Sequence, residues 1–141
     1  MNAQDMWMQY TALHPESESA IYEAWAYGDA PDELAALTLS RVKTATSSAH
    51  ALYVLEGSSI PQAGDFSVIL NRCGEAVCVI RNVVVSVLPY REVDARHAFL
   101  EGEGDRSLSY WRMVHEAFFL REYALHGLTF TDDIAVVCEE F

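Results

Sequence analysis

The stretch Phe66-Ser67-Val68-Ile69-Leu70-Asn71-Arg72-Cys73-Gly74-Glu75-Ala76-Val77-Cys78-Val79-Ile80-Arg81-Asn82-Val83-Val84-Val85-Ser86-Val87-Leu88 holds two apolar, β-branched runs around one turn signal. Phe66 to Leu70 reads as a strand and Asn71 to Gly74 as a hairpin turn. Ala76 to Leu88 is a second strand, long enough to bend or to serve as two. On the C-terminal side, Ser107 to His126 repeats at helical period, with Leu108, Trp111, Val114, Phe118 and Leu125 as its buried stripe and Gly127 as its stop. Ile134 to Cys138 then closes the chain as a strand. On the N-terminal side, Pro31 opens a helix with Asp32 and Glu33 at its positive end and Leu34, Leu37 and Leu39 as apolar positions. Pro15 to Gly28 also reads as helix, because Ile21, Ala24, Trp25 and Gly28 recur at 3–4 spacing. Thr44 to Ser47 reads as a strand, and Ala49 to Leu55 as one or two helical turns before the Gly57-Ser58-Ser59 loop. Helices at both ends of a run of strands give an α+β class, with a small curved sheet or barrel and helices packed outside.

The 141 residues carry 9 Lys+Arg against 21 Asp+Glu, for a formal net charge of −12. That length suits one domain, 1–141, and a 51% hydrophobic, 11% aromatic composition fills its core, which excludes global disorder. The charge disfavours non-specific binding to DNA or RNA and docking on an anionic membrane. Residues 1–40 contain seven acids and no Lys or Arg, whereas Arg91, Arg96, Arg106, Arg112 and Arg121 gather between positions 91 and 121. Lys43 is the single lysine. Cys73, Cys78 and Cys138 are odd in number and lack Cys-x-x-Cys spacing, which argues against a disulfide framework and a zinc knuckle. MNAQDMWMQY lacks the basic and apolar regions of a signal peptide, so the expected location is cytoplasmic. The longest apolar stretch, Val83 to Leu88, is too short to span a bilayer.

Three places offer chemistry. Arg41-Val42-Lys43-Thr44-Ala45-Thr46-Ser47-Ser48 sets the only lysine beside four hydroxyls. A neutral lysine can activate a Thr or Ser nucleophile, while a solvated lysine at a strand start is the plainer account. In a regular strand residues 43 and 46 point to opposite faces, so their cooperation requires a turn at the junction. Leu100-Glu101-Gly102-Glu103-Gly104-Asp105-Arg106-Ser107 is an acidic glycine-rich entry to the long helix. Asp105 or Ser107 can cap that helix, and Glu101 and Glu103 favour its positive end. Capping leaves Gly-Glu-Gly unexplained, which singles out Glu103. His115 stands four residues after Trp111 and three before Phe118, at the edge of the apolar stripe, as a core-edge histidine or a ligand contact. Trp25, Tyr27, Tyr22 and Tyr53 read as core aromatics, one of which can stack on a planar base at a cleft mouth. With no His-Glu-x-x-His pattern and no phosphate-binding glycine loop, the expectation is no metal and no cofactor.

Tyr22 to Asp29, Lys43 to Ser48, Pro61-Gln62-Ala63-Gly64-Asp65, Glu101 to Leu108, Tyr110-Trp111-Arg112 and His115 to Phe119 together resemble the bacterial ASCH domain proteins, over about residues 21–141. The resemblance implies a PUA-like β-barrel with flanking helices and a cleft for nucleosides or RNA. Some relatives remove the acyl group from acetylcytidine, and others are described as metal-dependent ribonucleases. In the amidohydrolase branch a Lys-x-x-Thr pair acts with a distant Glu, which carries over onto Lys43, Thr46 and Glu103. Thr46 would attack the acyl carbonyl, Lys43 would take the proton or steady the oxyanion, and Glu103 would bind the base edge or relay the proton. Trp25, Tyr27, Ser47, Arg106 and His115 are the expected substrate-binding residues. A glycine commonly stands two positions before that lysine, and here Arg41 replaces it. The expected partner is a small nucleoside or short RNA, with no DNA and no membrane. The alternative is a non-catalytic RNA-binding module or a ribonuclease using the same cleft, with Arg91, Arg96, Arg106, Arg112 and Lys43 as its cations. Oligomeric state is open.

Overall fold

The structure is a computed structural model that describes residues 1–141. Its strands form two three-stranded sheets. The first has order β1-β3-β4, from β1 (Tyr22–Ala26), β3 (Phe66–Leu70) and β4 (Ala76–Arg81). The second has order β2-β6-β5, from β2 (Ala45–Ala49), β6 (Ala135–Glu140) and β5 (Val84–Pro89). β1 runs parallel to β3, and every other pairing is antiparallel. The long apolar run therefore serves as two strands, which leave the first sheet and enter the second at Asn82-Val83. No strand pairing joins the sheets at their other edges, so the arrangement is α+β with two open sheets and the expected barrel does not close.

The helices are α1 (Ala3–Leu13), α2 (Pro31–Leu39), α3 (His50–Glu56), α4 (Ala95–Glu101) and α5 (Leu108–Leu125). Pro31 does open α2, and its first turn holds Asp32 and Glu33. Leu34 is buried, but Leu39 faces solvent. α5 follows its expected bounds closely, with Ser107 capping through a bond from the Tyr110 amide to Oγ at 3.1 Å. The stripe lies one position over from the expected one: Trp111, His115, Phe119 and Tyr123 are buried, while Leu125 is exposed. Trp111 and His115 are accommodated on that face because the buried Glu101 carboxylate below it meets their ring N–H groups.

The helix expected over Pro15 to Gly28 is absent. Pro15–Ser17 is one 3₁₀ turn, and Tyr22–Ala26 is the β1 strand, paired residue by residue with Phe66–Leu70. The 3–4 spacing misled because only Trp25 and Tyr22 of that strand turn inward, and Ile21, which anchored the helical stripe, is exposed. Helix α1 was not expected from its polar pattern. Only its Trp7 is buried, packed in a cluster with Phe66 and Val68 and stacked on Tyr22 at 4.9 Å. The main core lies between the second sheet and α5, around Trp111, Phe119, Val136 and Cys138. No helix is long and apolar enough to cross a membrane.

A candidate site at a buried lysine

Helix α2 ends in a Schellman turn: the Val42 amide bonds the Leu37 carbonyl and the Arg41 amide bonds the Thr38 carbonyl, both at 3.0 Å. The turn leads Lys43 into the protein, and the Thr44 amide then bonds the Leu100 carbonyl at 2.7 Å. From there β2 alternates, with Ala45, Ser47 and Ala49 buried on one face and Thr46 and Ser48 half-buried on the other.

Lys43 is 1% exposed, and its Nζ donates to Glu101 Oε1 at 3.1 Å and Glu103 Oε2 at 3.0 Å. Both carboxylates come from the end of α4 and the loop after it. That explains Gly-Glu-Gly. Gly102 sits at φ +73° against the Val42 carbonyl, where a β-carbon would collide with the backbone, and Gly104 at φ +58° lies on the Tyr110 ring. The two glycines lay the loop against the residue preceding Lys43, and Glu103 follows.

Glu101 is the hub of what lies beneath. Its Oε1 faces Lys43 and His115 Nε2, the latter at 3.5 Å. Its Oε2 accepts from Ser47 Oγ at 2.6 Å, from the Trp111 indole N–H and from His97 Nε2 at 3.0 Å. Burial alone would raise the Glu101 carboxyl, but Lys43, His115 and His97 overturn that and hold it well below the usual carboxylate range. Burial likewise opposes charge on His97, yet the Cys138 thiol and the Glu101 carboxylate beside it push it up to about 9. His115 moves the same way against its own burial, drawn by Glu101. Its geometry agrees. His115 Nδ1 lies 3.0 Å from the Trp111 carbonyl, which can only accept, so Nδ1 carries a proton. Nε2 faces a carboxylate, and only the imidazolium donates on both sides.

Ser47, His97 and Glu101 contain the residue types of a hydrolytic triad without its order. Ser47 Oγ, at 2.7 Å, and Glu101 Oε2 meet the same nitrogen, His97 Nε2, so the carboxylate does not orient the histidine from the far side. All three are buried. They form a structural network that shapes the lysine's surroundings.

Of the residues expected at the site, Lys43, Glu103, Ser47, His115 and Tyr27 are brought together. Tyr27 is buried, its hydroxyl bonds Thr38 Oγ1 at 2.8 Å, and Lys43 Nζ stands 5.2 Å from its ring centre. Trp25 packs edge-on against Tyr27 at 5.1 Å, one layer away. Arg106 lies on the outside of the Glu103 loop. Its guanidinium bonds the Phe99 and Val42 carbonyls at 3.0 and 3.3 Å and stacks 3.7 Å over the Phe99 ring. Thr46 stands on the alternate face of β2, opposite Glu139, and its hydroxyl has no hydrogen bond to Lys43. Glu101, His97 and Trp111 were missed as site residues. The only sequence signal was an acid at the foot of the glycine loop, read as a helix-end charge.

Glu101, Glu103 and His115 place ligand-capable atoms within 4.8 Å of one another, a spacing that could hold a metal ion. The Lys43 ammonium already bridges the two carboxylates, so a divalent cation would meet its charge at close range. Cys78, half-buried nearby, is pushed up to about 11 by burial and stays a thiol.

A groove of about 470 Å³ opens beside this cluster, lined by Lys43 and Thr44 together with Thr38, Arg41, Val79 and Arg81 among others. The cations expected to form an RNA surface are engaged elsewhere. Arg91 pairs with Asp133 and Arg96 with Glu140, while Arg112 bonds the carbonyls of Tyr90, Arg91 and Val93.

Comparison with known proteins places these observations. The sequence profile of the ASCH domain matches residues 23–141. A solved ASCH domain from Lactobacillus crispatus superposes with a TM-score of 0.90 at 33% identity, covering 98% of this chain and 91% of that one. A protein of Enterococcus faecalis superposes with a TM-score of 0.87 at 30% identity, covering 99% and 90%. A comparison with curated proteins finds no match.

Proposed function

The chain belongs to the ASCH domain family, and we propose that the groove beside Lys43 binds a nucleoside and that the Lys43–Glu103 pair hydrolyses an acyl amide on its exocyclic amine. One observation carries this reading. Lys43 has two carboxylate partners of unequal access: Glu101 is sealed in the network, while the Glu103 side chain is 17% exposed. A lysine held between them is a donor and not a free base. Its natural role is to steady the negative charge that develops on the acyl oxygen. Glu103, the reachable carboxylate, takes a proton from an attacking water. The carbonyl carbon gains that oxygen, the C–N bond breaks, and the proton held by Glu103 passes to the departing amine. One water is consumed, and a carboxylic acid and a free amino group are produced.

Water is the nucleophile in this scheme because Thr46 lies on the face of β2 alternate to Ser47 and its hydroxyl makes no hydrogen bond to Lys43. Purified protein incubated with acetylcytidine should release cytidine. Glu103→Gln and Lys43→Met should each lower kcat by about a hundredfold or more, within the range that general acid–base and oxyanion groups supply. No release across a panel of acylated pyrimidine nucleosides sinks the proposal. A comparable loss in Thr46→Val would restore Thr46 as the acyl-accepting nucleophile expected from the family pattern. An RNA-binding module instead predicts salt-sensitive retention of RNA. The engagement of Arg91, Arg96 and Arg112 by acids and carbonyls speaks against it.

A further inference from the structure

Most of the nine cations in this −12 chain are neutralised or bonded by their surroundings. Lys43 has its two glutamates, Arg91, Arg96 and Arg121 have carboxylates, and Arg106 and Arg112 bond backbone carbonyls. Arg41, Arg72 and Arg81 have neither a carboxylate nor a carbonyl on their guanidinium groups. Two of these three, Arg41 and Arg81, line the groove beside Lys43, at places 40 residues apart in sequence. Both are exposed, and Arg81 is held over the Phe66 ring at 5.2 Å, which limits its freedom.

The backbone at Arg41 adds an independent observation. Arg41 occupies the left-handed position after α2, at φ +64°, in the Schellman turn described above. That position suits glycine, which has no β-carbon to strain, and a long charged side chain there is conformationally costly. The strain brings no compensating contact within the chain, since the guanidinium bonds nothing. It does place a free cation at the groove, two residues before Lys43. Strained residues kept without an internal partner point to a role toward a ligand.

We propose that Arg41 and Arg81 form an anion subsite at the groove, so that its ligand is a nucleotide carrying a phosphate and not a free nucleoside. This rests on the reading of the groove as a nucleoside site and names the form of its ligand. Two guanidinium groups present paired donors suited to phosphate oxygens. An anion there also answers the acidity of the rest of the molecule. The subsite gathers the free positive charge into one place, where a single phosphate is held without a basic face broad enough for a polynucleotide.

The test is titration calorimetry on the full chain at low salt, with cytidine, cytidine 5′-monophosphate and inorganic pyrophosphate as probes. The monophosphate should bind about tenfold or more tightly than cytidine, the scale of hydrogen bonds to a charged group. Arg41→Gly and Arg81→Gln should each erase most of that ratio, while Arg72→Gln leaves it intact. Arg41→Gly should melt no lower than the parent, because it relieves the left-handed strain, so lost affinity in that variant is not lost folding. A wild-type ratio near one with cytidine bound overturns the phosphate subsite and leaves the nucleoside reading standing. Pyrophosphate binding that depends on Arg41 and Arg81, with neither cytidine nor its monophosphate bound, keeps the anion site and overturns the nucleoside reading. No binding of any probe overturns both.

Discussion

Glu101 and Glu139 are both buried, yet the protein treats their carboxyl groups in opposite ways. Glu101 faces five donors, drawn from the Lys43 turn, β2, α4 and α5, and its carboxyl is held well below its usual range. Glu139, on β6, has one, the Asn82 side-chain amide at 2.8 Å. Burial dominates there, Asp65 and Glu23 add repulsion, and its carboxyl is raised. The difference shows that depth alone does not set the charge of a carboxyl. What decides is whether enough donors converge to replace lost water, and here they converge on only one side of the second sheet.

The harshest way to break the contrast is Glu101→Gln. It keeps the shape but leaves two histidines without their counter-charge and Lys43 with Glu103 alone, and should cost about 3–5 kcal/mol in denaturant unfolding, as for a broken buried ion pair. A cost no larger than that of Glu139→Gln would remove the distinction. Gly102→Ala should come next, at about 2–4 kcal/mol, from left-handed strain plus collision with the Val42 carbonyl. Because Glu103 follows, the variant should lose the proposed release of cytidine from acetylcytidine even at temperatures where it stays folded. A third measurement varies pH. His97 is raised in the folded state, so its contribution is complete below about 6.5 and is lost as pH climbs through about 9. Unfolding free energy should therefore fall over that alkaline window in the parent and much less in His97→Gln. On the acid side Glu101 works in reverse: its contribution is present above the normal carboxylate range and disappears only as pH drops below it. The gentlest test is Glu139→Gln. A raised carboxyl penalises the ionised fold, so removing it should stabilise the protein by about 1 kcal/mol at pH 7, with the gain vanishing near pH 4. A net loss would mean that the Asn82 bond outweighs the penalty.

Elements whose evidence is local were legible in the sequence. The β3–β4 hairpin, α2 behind Pro31 and α5 between Ser107 and Gly127 carry their own period and their own stops. β1 was not legible, because its two half-buried residues, Tyr22 and Trp25, stand three apart and pack in different clusters, which mimics a helical stripe in the sequence. α1 was hidden because a single buried residue, Trp7, holds it to the sheet. At the site, Lys43 and Glu103 stood out by composition and by the glycines around the glutamate. Glu101 did not, although it is the more deeply buried. Its partners lie 58 residues back at Lys43 and 14 ahead at His115, and only the fold brings them onto one carboxylate.

The Glu101 hub has a consequence for how such a sequence can drift. Lys43, Ser47, His97, Trp111 and His115 each lean on the same two oxygens, so a substitution at any one leaves the others with a charge or a donor unmatched. Single changes are then penalised in all six positions, and viable alternatives differ at several of them together. The network therefore tolerates change only as a block, whereas Arg41 and Arg81, whose guanidinium groups bond nothing inside the chain, can each be exchanged without unmatching a buried partner.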